Sequence, residues 1–186
     1  MRQLHELKRH LKPGGVYRRS ELQQWSGAVD RHLQQLTKDG TLQKLSAGLY
    51  YVPRQSVYGQ VPADDKELVS SFLKDNRYLL MSPNDYNMLG VGTTQLYNTM
   101  KVYNHKRQGK FKLGNRTFHF VLKPYFPPKV SKEFLLVDLA NNLKTLAEDQ
   151  DEVLEKVKTK AREVDTNKLK KLANDFGSVG TKKLFN

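Results

Sequence analysis

The chain has 186 residues, enough for one full domain or two small ones with a real core, and its 32 Lys and Arg against 19 Asp and Glu give a formal charge of +13. That excess favours polyanions or anionic membranes, and it is uneven: residues 1–60 hold 10 basic and 4 acidic side chains, 61–130 hold 11 and 5, and 131–186 hold 11 and 10. The absence of cysteine excludes disulfides, thiolate catalysis and cysteine-ligated metal, and with no apolar run near the ~20 residues of a membrane span and no secretory signal in MRQLHELKRHLK, a cytoplasmic protein with no membrane partner is expected.

In chain order, residues 2–12 place Leu4, Leu7 and Leu11 on one helical face, and Pro13-Gly14-Gly15 ends that helix. Val16-Tyr17 is a short extended piece. Ser20 with Gln23 offers a capping box for a second helix over 21–25, and Ser26-Gly27 is a turn. A third helix spans 28–39, with Val29, Leu33 and Leu36 inward and Gly40 as its stop. Leu42 and Leu45 begin a strand that returns through 49–52, with a three-residue loop ending in Gly48 and a glycine bulge. The order of these elements predicts a winged helix-turn-helix over residues 1–54.

Residues 54–62 lack periodicity and read as a linker to a second domain, 62–186. There, 64–75 is helical, 78–81 is a buried strand, and Ser82-Pro83 opens another helix. A β-rich block extends over 95–123, with turns at Gly109 and at Gly114-Asn115, and Phe118 and Phe120 alternate with His119 as in a half-buried strand. Helices are expected over 131–148, 150–163 and 166–176, followed by a loosened segment at Gly177-Ser178-Val179-Gly180 and a basic tail. The fold class is therefore α+β: a winged helix-turn-helix, then a mixed α/β domain with an antiparallel sheet over 78–123 and a helical part over 131–176.

A step of 100° per residue along the third helix points Gly27, Arg31, Gln34 and Lys38 away from the core, with Gln35 beside them. Arg and Gln suit bidentate readout of guanine and adenine edges in a major groove. Ser26 and Gly27 allow close approach to a phosphate. Arg18 and Arg19 precede the second helix where phosphate contacts anchor such motifs, and Lys44 and Ser46 lie on the hairpin. In the second block, Lys101, Lys106, Arg107, Lys110, Lys112 and Arg116 interleave with Tyr97, Tyr103, Phe111, Phe118 and Phe120. That pattern fits a sheet with an aromatic inner face and a basic outer one, a possible second nucleic-acid or partner face.

Catalytic constellations are missing. His5, His10, His32, His105 and His119 show no metal-binding spacing, no Gly-Lys-Ser/Thr phosphate loop exists, and the acid-x-Lys matches at Glu6-Leu7-Lys8 and Asp64-Asp65-Lys66 fall on predicted helices. Neither an enzyme nor a bound metal or cofactor is expected.

Val29, Leu33, Leu36, Gly40, Gly48, Tyr50 and Pro53 in the first segment resemble the N-terminal winged helix of AbiEi-type antitoxins. The second block resembles the same family in its Leu-Gly, Thr-Gln and Leu-Gly-Asn-Arg order. The resemblance implies an antitoxin of a type IV toxin–antitoxin pair that represses its own operon at repeated promoter sites on double-stranded DNA. It further implies a nucleotidyltransferase-like toxin as functional partner, countered through the C-terminal part without a stable complex, and it marks Ser26, Gly27, Arg31, Gln34 and Lys38 as DNA-facing. From the residues alone, a plain transcription factor with a ligand- or partner-sensing second domain and an RNA-binding protein stay open.

Overall fold

The apolar stripe of Leu4 and Leu7 makes the first helix, α1 (Arg2–His10), which leads through a glycine turn into the short strand β1 (Val16–Arg18). The structure, a computed structural model, describes residues 2–82, 85, 89–91, 99–145 and 149–186. Next come α2 (Arg19–Leu22), a 3-10 turn (Gln23–Trp25), α3 (Val29–Lys38), β2 (Gln43–Ser46) and β3 (Leu49–Tyr51). The three strands form an antiparallel sheet in the order β1-β3-β2. Leu7, Leu22, Val29, Leu33, Leu36, Leu42 and Val52 close into one buried cluster, each large aliphatic side chain contributing about 1.5–3 kcal/mol of transfer free energy.

Two local expectations are corrected. The capping box at α2 is formed by Arg18 and Glu21, not Ser20 and Gln23: the Arg18 amide donates to Glu21 Oε2 at 2.9 Å and its Nε to Oε1 at 2.9 Å. A carboxylate can bind amide and guanidinium together, which the neutral Gln23 cannot match. The β2–β3 loop is two residues, Ala47 and Gly48, with Ser46 opposite Leu49. Gly48 supplies the positive φ of +71°, and the irregularity sits between Lys44 and Ser46 instead of in the turn.

Where a linker is expected, the chain forms an antiparallel ribbon, β4 (Arg54–Ser56) with β5 (Gly59–Val61). Ser56 Oγ donates to the Gly59 carbonyl at 2.9 Å across its turn. Helix α4 (Asp65–Leu73) begins at Asp64, whose carboxylate accepts from the amides of Lys66 and Glu67, each at 3.0 Å. Glu67 Oε1 accepts the Val16 amide at 2.9 Å, so α4 is tied to β1. The Gly114 amide donates to the Leu45 carbonyl at 3.0 Å, and Phe111 packs on Phe72 with ring centroids 5.1 Å apart. Contacts accordingly group residues 1–76 with 111–117 as one unit and 77–110 with 118–186 as the other; this division does not follow the boundary at 54–62 that the sequence suggests.

A four-stranded sheet is built from β6 (Tyr78–Met81), β7 (Met100–Asn104), β8 (Gly109–Leu113) and β9 (Arg116–Leu122), in the order β6-β7-β9-β8. β6 and β7 are antiparallel, but β7 and β9 run parallel, with Val102 opposite Phe120, so this sheet is mixed and not wholly antiparallel. The reversal after β7 falls at residues 105–108, not at Gly109, which opens β8. Buried Asn104 holds it: Oδ1 accepts the Lys106 and Arg107 amides at 2.8 and 2.7 Å, and Nδ2 donates to the Arg107 carbonyl at 3.0 Å. The turn at Gly114-Asn115 is where the sequence puts it, with φ of +62° at Gly114.

Four helices follow: α5 (Lys132–Asn142), α6 (Gln150–Ala161), α7 (Thr166–Phe176) and α8 (Val179–Phe185). Ser131, Asp149, Asp165 and Ser178 each accept a backbone amide at the opening turn, replacing water for one orphan donor. Phe134 to Val137 and Leu139 of α5 are all buried in the second unit's core. The expected loose tail is thus helix α8, and α5 stops at Asn142 before a 3-10 turn, Leu143–Thr145. The helix expected after Ser82-Pro83, residues 95–98 with Tyr97, and the end of the 131–148 helix lie outside the described residues. Among the described residues no helix is long and apolar enough to cross a membrane.

Candidate nucleic-acid interface

Helix α3 presents two chemically distinct sides. Val29, His32, Leu33 and Leu36 are buried, whereas Arg31, Gln34, Gln35 and Lys38 are exposed. The 3.6-residue period therefore gathers four of the expected contact side chains on one open surface, with exposed Gly27 ahead of them. Lys44 is exposed on β2, directly opposite Tyr50 in the hairpin.

Other expected contacts are placed differently. Ser26 is buried, and its Oγ lies 2.7 Å from Nδ1 of His32, so its side chain supports the start of α3 from within instead of facing a phosphate. Burial, the charge of Arg31 and the chain's amino terminus push the His32 imidazolium pKa below its ordinary value, favouring the neutral ring. Ser46 is half-buried, and its Oγ is enclosed with no hydrogen bond among the described residues, so it does not open onto a groove.

The two arginines at α2 are engaged in ion pairs. Arg18 is held by Glu21. Partial burial would raise the Glu21 carboxyl pKa, but the Arg18 hydrogen bonds and charge together outweigh it and lower the pKa. Arg19 grips Asp30 with both arms of its fork, Nε to Oδ1 and Nη2 to Oδ2 at 2.6 Å each, and Nη1 reaches Gln23 at 2.9 Å. The Arg19 hydrogen bond lowers the Asp30 carboxyl pKa despite slight desolvation. An acid that pattern reading passed over thus stands beside the basic face. In sequence it is one charged residue in a first helical turn, where any helix favours one.

Helix α1 borders the same surface. Leu4, His5, Arg31, His32 and Gln35 line a cleft of about 250 Å³, and a Cβ at Gly27 would lie 3.8 Å from the Gln3 side chain. Gln3 and His5 are exposed. Neither was marked by the sequence, because the apolar pattern of α1 fixes only its buried side.

The six cations of the second block have different surroundings. Lys101 reaches the buried Asp138 at 3.4 Å, and the same carboxylate accepts the Tyr103 hydroxyl. Burial and the Asp138 charge push the Tyr103 pKa up. Arg116 pairs with Asp65 in the first unit. Lys106 and Arg107 are exposed on the reversal whose amides Asn104 holds, and Lys110 and Lys112 are exposed on β8. Lys112 and Arg116 belong to the first unit and the other four to the second. No group of three His, Cys, Asp or Glu side chains suited to a metal ion occurs among the described residues.

No family model and no curated protein matches the chain. The crystal structure of the RV2827C protein from Mycobacterium tuberculosis is similar in fold, with a TM-score of 0.60 at 15% identity over 99% of this chain and 73% of that one.

Proposed function

We propose that the chain is a DNA-binding repressor that places α3 in a major groove. One observation carries this reading: the outward side of α3 is made of Arg31, Gln34, Gln35 and Lys38, while its inward side is locked into the core. The sequence of α1, β1, α2, α3 and a β2–β3 hairpin, with sheet order β1-β3-β2, fits a winged helix-turn-helix. Arg31, Gln34 and Gln35 read bases in this reading, and Lys38 and Lys44 hold phosphates. Arg18 and Arg19 join them by exchanging a carboxylate partner for a phosphate. The likeness of the 14–124 motifs to AbiEi-type antitoxins extends the proposal: the chain represses its own promoter and counters a nucleotidyltransferase-like toxin.

Binding of a promoter duplex, titrated against salt, tests the first part. At ~0.9 per phosphate neutralised, two lysines give a log–log slope of about −2, and engagement of both arginines takes it to about −4. Replacing Arg31 by Ala should cut the preference for promoter over random DNA by about 1–3 kcal/mol if its contact is bidentate. A flat salt response sinks the DNA reading. Promoter binding without rescue of cells expressing the adjacent toxin gene would leave a repressor that is not an antitoxin.

A further inference from the structure

We propose that α1 is a second DNA-contacting element, with His5 donating a hydrogen bond to the backbone phosphate beside the base pair that Arg31 reads; this rests on the DNA-binding reading above. His5 and Arg31 line one cleft together with Gln35, so a strand bordering the groove occupied by α3 would pass over both helices. At about 250 Å³ the cleft is wide enough to admit a phosphate oxygen together with solvent. Leu4 and the His32 ring form its less polar walls, and His32 Nδ1 is already committed to Ser26.

The electrostatics suit an anion. The first turn of α1 carries no acid. Its one carboxylate, Glu6, is turned along the helix to Arg9 at 3.6 Å and His10 at 3.2 Å. Gln3 stands next to Gly27, so the amide side chain extends the polar rim across the start of α3. An imidazole offers an N–H in either protonation state, and the contact does not depend on a charged ring.

The experiment compares the full chain with His5→Ala and His5→Lys on promoter and random duplexes over a range of salt. A phosphate contact carries no sequence information, so His5→Ala should weaken both complexes by the same factor, about three- to tenfold, and leave their ratio intact. His5→Lys should bind at least as tightly as the wild type, with a slope steeper by about 0.9. If both variants bind as the wild type does, with the wild-type slope, the proposal is overturned. A fall in the promoter-to-random ratio for His5→Ala also overturns it, because His5 would then read a base. If the wild-type chain binds neither duplex, the repressor reading itself fails, a result distinct from either.

Discussion

The Arg19–Asp30 pair sets how much positive charge the α3 surface shows. Asp30 sits in the first turn of the helix, where an acid complements the helix dipole, and it occupies both arms of a guanidinium that would otherwise face outward. Both side chains are substantially exposed, at 41% and 73%, so the pair is screened by water and contributes little to folding. Its consequence is local: one positive charge is withdrawn from the surface proposed to meet DNA. Asp30→Asn should remove the cost of exchanging that carboxylate for a phosphate and tighten binding to promoter and random DNA alike, by roughly 3- to 10-fold at low salt, with the slope unchanged because Arg19 meets the same phosphate in both proteins. Titrating both duplexes measures this, and weaker binding by the variant would mean that the bound complex needs the carboxylate. Ser26 teaches the complementary lesson at the same helix. A serine before a glycine at a helix start matches a phosphate-facing pattern in sequence, yet the buried ring of His32 three residues into α3 claims its hydroxyl. Nothing in the spacing separates the two roles, because both need a small polar side chain at that point.

At the scale of elements, periodicity and caps made most helices legible. Thr166–Phe176 starts and stops as the sequence predicts because Asp165 caps it and Gly177 ends it, with no room for a Cβ beside the Ala173 carbonyl. The β4–β5 ribbon was hidden because RQSVYGQV has no alternation of apolar and polar residues, and both faces of the ribbon are largely exposed. Helix α8 was hidden by two glycines that a Ser178 cap and the burial of Thr181 and Phe185 offset. The parallel pairing of β7 with β9 is a non-local choice, and the reversal that follows β7 is held by buried Asn104, whose Oδ1 accepts the Lys106 and Arg107 amides. Asn104→Ala would remove the acceptor of the Lys106 and Arg107 amides from an exposed turn. Because residues 105–108 are exposed and water can take part of the lost acceptor's place, the variant should lose about 1–3 kcal/mol by denaturant unfolding, at about 0.5–1.5 kcal/mol for each hydrogen bond removed, and a loss under 0.5 kcal/mol would show that the turn stands without it.

At the scale of the whole molecule, the charge excess is shared about equally by residues 1–60 and 61–130, the proposed DNA surface belongs to the front of the chain, and the unit carrying that surface is not contiguous in sequence. Residues 111–117 complete it. Leu113 is 1% exposed and shares a cavity lining with Leu45, Tyr51 and Leu68, so the hairpin end contributes to the environment behind the β1-β3-β2 sheet while α3 lies on the side of Leu33 and Leu36. A sequence reading that cuts the chain near residue 60 would leave this filling out of the DNA-binding fragment. Truncation of Leu113 is a direct way to see whether the unit behaves as one. Leu113→Ala should cost about 2–5 kcal/mol as a buried large-to-small change, and that cost should fall on the unit that holds α3. Hydrogen exchange resolves it: the amides of α3 should lose protection more than those of α5 and α7, and promoter binding should weaken on warming before the helical unit melts. Equal loss in α3 and α5 would mean that the chain unfolds as one cooperative block. Unchanged α3 protection would mean that the hairpin end only rests on its unit and does not support it.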